Sequence, residues 1–154
     1  MTRILFVCLG NICRSPMAEF AMKELVREAG LEDKYFIESA ATSSEEIGNP
    51  VYPPAVRKLA EHGIDCSGKR ARRMRKSDYD DFDFLIGMEK ANIRSMLRIT
   101  GGDPEGKIRL LLEFAGSGRD IPDPWYTGDF ESTWKDVSKG CRGLLHLIEG
   151  TNIL

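Results

Sequence analysis

The amino-acid sequence predicts an α/β fold: a doubly wound parallel sheet of four strands with helices on both faces, formed by a single domain over residues 1–154. Two features carry this prediction. Short apolar runs alternate along the chain with longer segments of helical periodicity, which is the pattern of parallel strands joined by crossover helices. The first run, Ile4–Cys8, is almost continuously apolar, as expected of a strand that is covered on both faces.

The first half of the chain contains two predicted strands and two predicted helices. After the strand Ile4–Cys8, apolar residues spaced for one helical face predict a helix from Pro16 to about Ala29, which Gly30 ends. A second strand is predicted at Tyr35–Ala41. It is followed by a surface loop rich in turn formers, Ser43–Pro54, and a short helix, Ala55–Glu61.

The second half continues the alternation. A third strand at Phe82–Met88 precedes a helix from about Lys90 to Ile99. The run Lys107–Phe114 fits a fourth strand or a short helical segment, because an apolar run of this length has no period that distinguishes the two. A long loop at Gly116–Asp129 then leads to an amphipathic helix from Glu131 to about Ile148.

Charge and composition narrow the classes of function. A net charge of −2 argues against general affinity for nucleic acid. The basic run Lys69–Lys76, KRARRMRK, is therefore interpreted as a solvated face, with electrostatic steering of anionic substrates as the alternative. No segment is long and apolar enough for a membrane span, and no signal-peptide pattern is present, so a cytoplasmic protein without a membrane partner is expected.

The four cysteines do not indicate a disulfide framework or a metal site. The sequence has no C-x-x-C motif, and its two histidines, His62 and His146, lie far apart, so neither a metal nor an organic cofactor is expected. In a reducing compartment such cysteines are buried apolar residues or reactive thiols.

The segment CLGNICRSP sets Cys8 at the carboxyl end of the first strand, where ligands bind in parallel sheets, and Arg14 at the start of the next helix. This spacing alone is weak support for a site, because Cys66 and Arg72 share it. Only Cys8 has the full context: an apolar strand before it, a loop that contains Gly10 and also Asn11, which tolerates left-handed backbone angles, and a helix after it.

Such a loop is predicted to bind an anion. Ser15 is suited to cap the helix and Pro16 to occupy its first turn. A loop wrapped between a strand end and a helix N-terminus turns backbone N–H groups inward, and the helix dipole reinforces their positive field. Arg14 adds a planar, permanently charged fork that matches two oxygens of a phosphate. The same field favours the thiolate of Cys8, so the loop would both create a nucleophile and hold the phosphate that it attacks.

A thiolate that attacks a phosphate monoester needs a proton donor for the leaving oxygen. The late segment RDIPDPWYTGDF offers Asp120, Asp123 and Asp129. Asp123 is the best candidate, because the flanking prolines stiffen it and Trp125 and Tyr126 can exclude water and form a pocket wall. The same D-P-W sequence is also common as a simple turn. The position of Asp123 in the chain therefore does not decide whether it is the proton donor.

Together, VCLGNICRSPMAE and DPWY resemble the low-molecular-weight protein tyrosine phosphatases. The similarity extends along nearly the whole chain and includes ESAATSSEEIGNP, HGI and YDDFDFLIGMEKAN. The resemblance implies hydrolysis of phosphotyrosine in protein substrates through a phosphocysteine intermediate, without a cofactor. By matching position, it implies that Cys8 is the nucleophile, that Arg14 binds the phosphate oxygens, and that Asp123 protonates the leaving phenolate and then activates water.

The resemblance also implies a set of residues that bind phosphate or orient the loop, namely Leu9, Gly10, Asn11, Ile12, Cys13, Ser15 and Ser39. Within this set, Asn11 would bond to Ser39 and hold the loop geometry, and Ser15 would donate to the thiolate of Cys8. Cys13 would trap an oxidised nucleophile as a reversible disulfide, which protects it from irreversible oxidation. A simple packing role for Cys13 is an equal alternative.

Three residues are expected to line the substrate pocket: Glu45, Trp125 and Tyr126. Glu45 stands where many family members carry an aromatic or apolar residue, which favours substrates with basic residues beside the phosphotyrosine. Trp125 replaces a frequent tyrosine and keeps an aromatic wall. Lys69 replaces a frequent histidine and so removes a pH-sensitive group, whereas Glu89 replaces a frequent aspartate and retains the charge.

Three other functions are alternatives. Arsenate reductases on the same scaffold need two further cysteines in relay, whereas here the next cysteine after the loop, Cys66, stands alone. Phosphoarginine phosphatases carry threonine where this chain has Ile12, and a branched apolar side chain suits an aromatic ring better than a guanidinium. A non-catalytic phosphate-binding module would not need both Cys8 and Asp123.

Overall fold

In a computed structural model, which describes residues 1–150, four parallel strands form the central sheet. Residues 151–154, the end of the expected domain, lie outside the described residues. The strands are β1 (Thr2–Cys8), β2 (Tyr35–Ala41), β3 (Phe84–Gly87) and β4 (Ile108–Leu110). They pair in the order β2-β1-β3-β4, so that the carboxyl ends of all four lie at one edge of the sheet.

Over residues 1–150 the helices are α1 (Arg14–Glu28), α2 (Pro53–Glu61), α3 (Asp78–Asp81), α4 (Lys90–Thr100), α5 (Pro124–Thr127) and α6 (Phe130–Glu149). They cover both faces of the sheet, as predicted, with α1 and α6 on one face and α4 on the other. Two 3₁₀ turns lie in the same part of the chain, at Glu32–Lys34 and Leu111–Ala115. None of the helices in this part of the chain combines the length and hydropathy needed to cross a bilayer.

The side chains of β1 alternate between two apolar layers. Ile4 and Phe6 pack with α1 and α6, whose Leu144 is fully buried in the same layer. Leu5 points to the opposite face and packs there with Met96 of α4. Because successive strand residues face opposite sides of the sheet, burial on both sides explains why this strand is apolar at nearly every position.

The structure corrects or refines several local predictions. Helix α1 begins at Arg14, so the prediction that Ser15 caps it is wrong: Ser15 lies inside the first turn, with its hydroxyl 3.0 Å from Cys8 Sγ. The run Lys107–Phe114 contains both predicted alternatives, because only its first part pairs with β3 before the chain enters a 3₁₀ turn. The predicted loop Gly116–Asp129 includes the short helix α5, which begins at a proline.

The basic run Lys69–Lys76 is only partly a solvated face. Lys69 and Arg72 are half-buried, and Arg72 forms an ion pair with the buried carboxylate of Asp78 at 3.0 Å. The solvated-face interpretation is wrong for these two residues, because the segment runs past the carboxyl end of β2. There the N–H of Ala41 donates to the carbonyl of Arg72 at 2.7 Å. The exposed members of the run are Arg70, Arg73, Arg75 and Lys76.

Helix α6 packs very closely against the 3₁₀ turn Leu111–Ala115. A Cβ at Gly143 would lie 2.6 Å from the carbonyl carbon of Phe114, and one at Gly140 would lie 2.8 Å from Leu111 Cδ1. Both approaches are closer than packed carbon atoms allow. The two glycines therefore let the helix backbone reach the turn that follows β4.

We expect Gly143→Ala to destabilise the protein, although alanine is intrinsically better than glycine in a helix by about 1 kcal/mol. The added methyl group meets backbone atoms, which cannot move aside as a side chain can. The free energy of unfolding, measured by urea denaturation, should fall by about 2–3 kcal/mol. Lys139→Ala, at an exposed position of the same helix, should change it by less than about 0.5 kcal/mol. Equal or greater stability of the Gly143 variant would contradict this packing.

Candidate active site

The loop between β1 and α1 wraps around the sulfur of Cys8. Asn11 has a φ of 60°, the only left-handed backbone angle of a non-glycine residue in the described part of the chain. Asparagine tolerates this conformation better than most residues. It directs the N–H of Asn11 toward Cys8, and the distance from N to Sγ is 3.3 Å. The sulfur of Cys8, at the carboxyl end of the central strand, is therefore faced by a backbone N–H group of the loop.

The side chain of Asn11 holds the loop from within. Its Nδ2 donates to Ser15 Oγ at 2.8 Å and to Ser39 Oγ at 2.9 Å, and its Oδ1 accepts from the N–H of Arg72 at 3.2 Å. Because Ser15 Oγ accepts from Asn11, its own proton is available to Cys8 Sγ, 3.0 Å away. The contacts of Asn11 with Ser39 and of Ser15 with Cys8 are those that the family resemblance implied.

A buried carboxylate, Glu19, supports Ser39 from behind. Ser39 Oγ donates to Glu19 Oε1 at 2.5 Å, and Glu19 also pairs with Lys23 at 2.6 Å and Lys69 at 3.4 Å. Burial lowers the pKa of Lys69, and the negative charge of Glu19 opposes this effect. Glu19 was not predicted from the sequence as part of the site. The sequence feature that could have indicated it is the position of an acidic residue one helical turn after Ser15, on the face of α1 that is buried.

Arg14 is almost completely buried, with 1% of its surface exposed, and three segments hold its guanidinium. It donates to the carbonyl of Ile121 at 2.9 Å and pairs with Glu89 at 3.2 Å and Asp123 at 3.3 Å. Burial alone lowers the pKa of Arg14, but the negative charge at Cys8 and the two carboxylates outweigh burial, so the pKa is raised. A permanently charged fork is thus fixed beside the sulfur.

Of the three candidate aspartates, only Asp123 lines the cleft at the sulfur. Its Oδ1 accepts from the N–H of Trp125 at 3.0 Å, which caps α5, and its Oδ2 faces Arg14. Asp120 accepts from the first N–H of α4 at 2.9 Å. Asp129 caps α6. The last two carboxylates therefore have structural roles at helix starts.

A cleft of about 150 Å³ opens above the loop. The predicted pocket residues Glu45, Trp125 and Tyr126 all line it, and the two aromatic residues are 51% and 79% exposed at its mouth. Glu46 also lines it and was not predicted, since its sole sequence signal is its position beside Glu45. The lining residues are Cys8, Leu9, Gly10, Ile12, Cys13, Arg14, Glu45, Glu46, Asp123, Trp125 and Tyr126.

The remaining cysteines differ in their surroundings. Cys13 lines the cleft, and burial together with the negative charges at Cys8 and Asp123 raises its pKa to about 12, so it is a neutral thiol at neutral pH. Cys66 packs beneath α2, and Cys141 is buried in α6. The cleft therefore lacks the further pair of thiols that an arsenate reductase relay needs. Within residues 1–150, no group of three or more His, Cys, Asp or Glu side chains is arranged to hold a metal ion.

These groups suit a tetrahedral oxyanion. The sulfur of Cys8 faces the cleft, Arg14 supplies two-pronged positive charge beside it, and the carboxylate of Asp123 lies within reach of the same space. Such a cleft can bind a phosphate, attack its phosphorus and transfer a proton to or from an attached oxygen.

Known proteins share both the sequence and the fold. The family described as low molecular weight phosphotyrosine protein phosphatase matches residues 3–152. The low molecular weight protein-tyrosine-phosphatase YfkJ of Bacillus subtilis is 40% identical over 151 residues, covering 97% of this chain and 97% of YfkJ. The crystal structure of YfkJ superposes with a TM-score of 0.93 and covers 97% of this chain and 95% of that chain.

Two further solved structures show the breadth of the likeness. SP-PTP, a low molecular weight protein tyrosine phosphatase from Streptococcus pyogenes, is 40% identical with a TM-score of 0.86, covering 98% of this chain and 95% of its own. DARP, the drosophila arginine phosphatase, is 28% identical with a TM-score of 0.89, and the match covers 99% of this chain and 100% of DARP. From the match over nearly its whole length and the identity to YfkJ, this chain belongs to the low molecular weight phosphotyrosine protein phosphatase family.

Proposed function

We propose that this chain hydrolyses phosphotyrosine in protein substrates through a phosphocysteine intermediate, with Cys8 as nucleophile, Arg14 as phosphate ligand and Asp123 as acid and base. The observation that carries this proposal is the meeting of the three side chains in one cleft, from positions far apart in the sequence. Membership of the phosphatase family supports the same reaction.

In the first step, the thiolate sulfur of Cys8 attacks phosphorus, and the bond from phosphorus to the tyrosyl oxygen breaks. Asp123 gives its proton to that leaving oxygen. Arg14 and the loop N–H groups bind the other phosphate oxygens, where charge rises in the transition state. The substrate phosphate competes with Asp123 for the Arg14 guanidinium, which lies 3.3 Å from Asp123 Oδ2 in the structure.

In the second step, water attacks the phosphorus of the phosphocysteine. Asp123, now a carboxylate, takes a proton from this water, and the phosphorus–sulfur bond breaks to release inorganic phosphate. Ser15, 3.0 Å from the sulfur, donates to the thiolate of Cys8 as it leaves. Cys8 is then a thiolate again and Asp123 is protonated again, and neither step requires a metal ion or an organic cofactor.

The lining of the cleft favours a phosphotyrosyl over a phosphoarginyl side chain. Ile12 and Trp125 give the cleft apolar walls, which suit an aromatic ring better than a guanidinium. DARP shares the fold, so the fold alone does not separate the two substrates.

The chain is proposed to act in the cytoplasm, and Cys13 is proposed to form a reversible disulfide with Cys8 when Cys8 is oxidised. The mechanism needs Cys8 in its reduced form, which a reducing compartment maintains. Cys13 lines the same cleft and is available to form a disulfide with Cys8 after oxidation, which would be reversible by thiols.

The acidic mouth of the cleft favours substrates with basic flanking residues. Glu45 is exposed at the mouth, and Glu46 beside it is half-buried and accepts from Asn49 Nδ2 at 2.5 Å. The cation of the cleft, Arg14, is buried and engaged with carboxylates and the phosphate site. A peptide bearing arginine next to its phosphotyrosine would therefore meet uncompensated negative charge.

Replacement of Cys8 by serine tests the nucleophile. We expect Cys8→Ser to lower kcat for a phosphotyrosine peptide by about 10⁴-fold or more. Binding of inorganic phosphate, measured by calorimetry, should persist because Arg14 and the loop remain. Cys66→Ser, at a cysteine outside the cleft, should retain activity. Unchanged turnover in Cys8→Ser would remove the mechanism, and a wild-type protein that binds phosphate without hydrolysing either phosphotyrosine or phosphoarginine peptides would favour a binding module.

Neutralising the mouth of the cleft tests the substrate preference. Glu45→Gln should lower kcat/KM for a peptide with arginine beside the phosphotyrosine by about two- to fivefold, as expected for one exposed ion pair. The matched peptide with glutamate at that position should not be slowed, and 0.5 M salt should shrink the difference as expected for screened charges. Glu28→Gln, at an exposed site near the far end of α1, is the control. An equal effect on both peptides would contradict charge recognition by Glu45.

A further inference from the structure

Tyr52 lies outside the cleft but touches two of the segments that build it. It precedes α2, and its backbone N–H donates to the carbonyl of Ile12 at 2.9 Å. This bond attaches Tyr52 to the loop that surrounds the sulfur of Cys8. From the sequence alone, Tyr52 belongs to the predicted surface loop Ser43–Pro54 and has no expected role.

The ring of Tyr52 packs against the segment that carries Asp123. Its centroid is 4.7 Å from that of Trp125 and 6.2 Å from that of Phe130, the first residue of α6. Trp125 is 51% exposed, and its ring is tilted by 51° against the ring of Tyr52. The N–H of Trp125 in turn binds Asp123 Oδ1 at 3.0 Å. A continuous series of contacts thus leads from the Tyr52 ring to the carboxylate.

Helix α5 has few means of its own to keep a fixed position. It consists of the four residues Pro124–Thr127, ends at Gly128 and carries two largely exposed aromatic side chains. A helix this short is not stable without tertiary contacts. The Tyr52–Trp125 pair is therefore well placed to hold α5, and Asp123 at its start, at a set distance from the loop around Cys8.

We propose that Tyr52 is a positioning residue for Asp123: its backbone is bonded to the phosphate-binding loop, and its ring fixes Trp125 and the turn that carries the acid. This inference rests on the proposed function and deepens it. Loss of the ring leaves the phosphate-binding groups in place but lets the carboxylate move relative to them. Displacement of a catalytic group by about 1 Å is sufficient for a large loss of rate.

The dependence of rate on the leaving group separates this role from a general structural one. A poor leaving group such as the tyrosyl oxygen needs a proton from Asp123, whereas 2,4-dinitrophenolate leaves without one. We expect Tyr52→Ala to lower kcat/KM about tenfold or more for phosphotyrosine and phenyl phosphate. For 2,4-dinitrophenyl phosphate, the expected decrease is no more than about twofold. Inhibition by inorganic phosphate should be unchanged, because Arg14 and the phosphate-binding loop, which hold this ligand, are intact in the variant.

Matched variants complete the experiment. Tyr52→Phe, which keeps the ring, should retain the wild-type dependence on the leaving group. If Tyr52→Ala folds poorly, Tyr52→Leu takes its place and should show the same selective loss of rate. Phe36→Ala removes a partly exposed ring that stacks on Phe82, away from the cleft, and should leave the dependence unchanged. In an Asp123→Asn background, Tyr52→Ala should cause no further selective loss.

Two different failures can be distinguished. A wild-type protein that hydrolyses no aryl phosphate would contradict the proposed function itself. An active wild type in which Tyr52→Ala and Tyr52→Leu slow all three substrates equally, or not at all, would contradict positioning by Tyr52 and leave the phosphatase mechanism intact.

Discussion

The geometry of the cleft depends on the backbone of Asn11. A left-handed conformation costs a non-glycine residue about 1–2 kcal/mol, yet here it directs the loop N–H toward Cys8. The cost is offset by the hydrogen bonds of the Asn11 side chain, each of which contributes about 1 kcal/mol net. These bonds reach Ser15 in α1, Ser39 in β2 and the backbone of Arg72. The loop therefore keeps its shape because three separate parts of the fold are packed around it.

Parallel topology explains why residues far apart in sequence meet at this loop. The carboxyl ends of the strands share one edge, and the chain leaves each strand there. Cys8 ends β1, Glu89 follows β3, and Asp123 lies in the connection between β4 and α6. Arg14 joins these segments through its pairs with Glu89 and Asp123. Because the guanidinium is buried, removal of either carboxylate would affect folding as well as catalysis.

The sequence predicted those features that local pattern determines. The continuous apolar run of β1 indicates a central strand with Cys8 at its carboxyl end, and the short Cys8–Arg14 loop contains most of the phosphate-binding groups within one stretch of chain. Asp123 is already the best local candidate for the proton donor, but its role depends on the family resemblance, because a D-P-W turn has no unique local meaning. The support from Glu19 and the ring contact of Tyr52 could not be predicted, since each depends on a partner brought close only by tertiary packing.

A crystal structure of the protein with bound vanadate tests the central claim most directly. We expect vanadium to be bonded to Cys8 Sγ, with the loop N–H groups and the Arg14 guanidinium hydrogen-bonded to its equatorial oxygens. The Asp123 carboxyl should lie within hydrogen-bond distance of the apical oxygen opposite the sulfur. Vanadate bound elsewhere, or bound in the cleft with the sulfur of Cys8 directed away from it, would contradict the account.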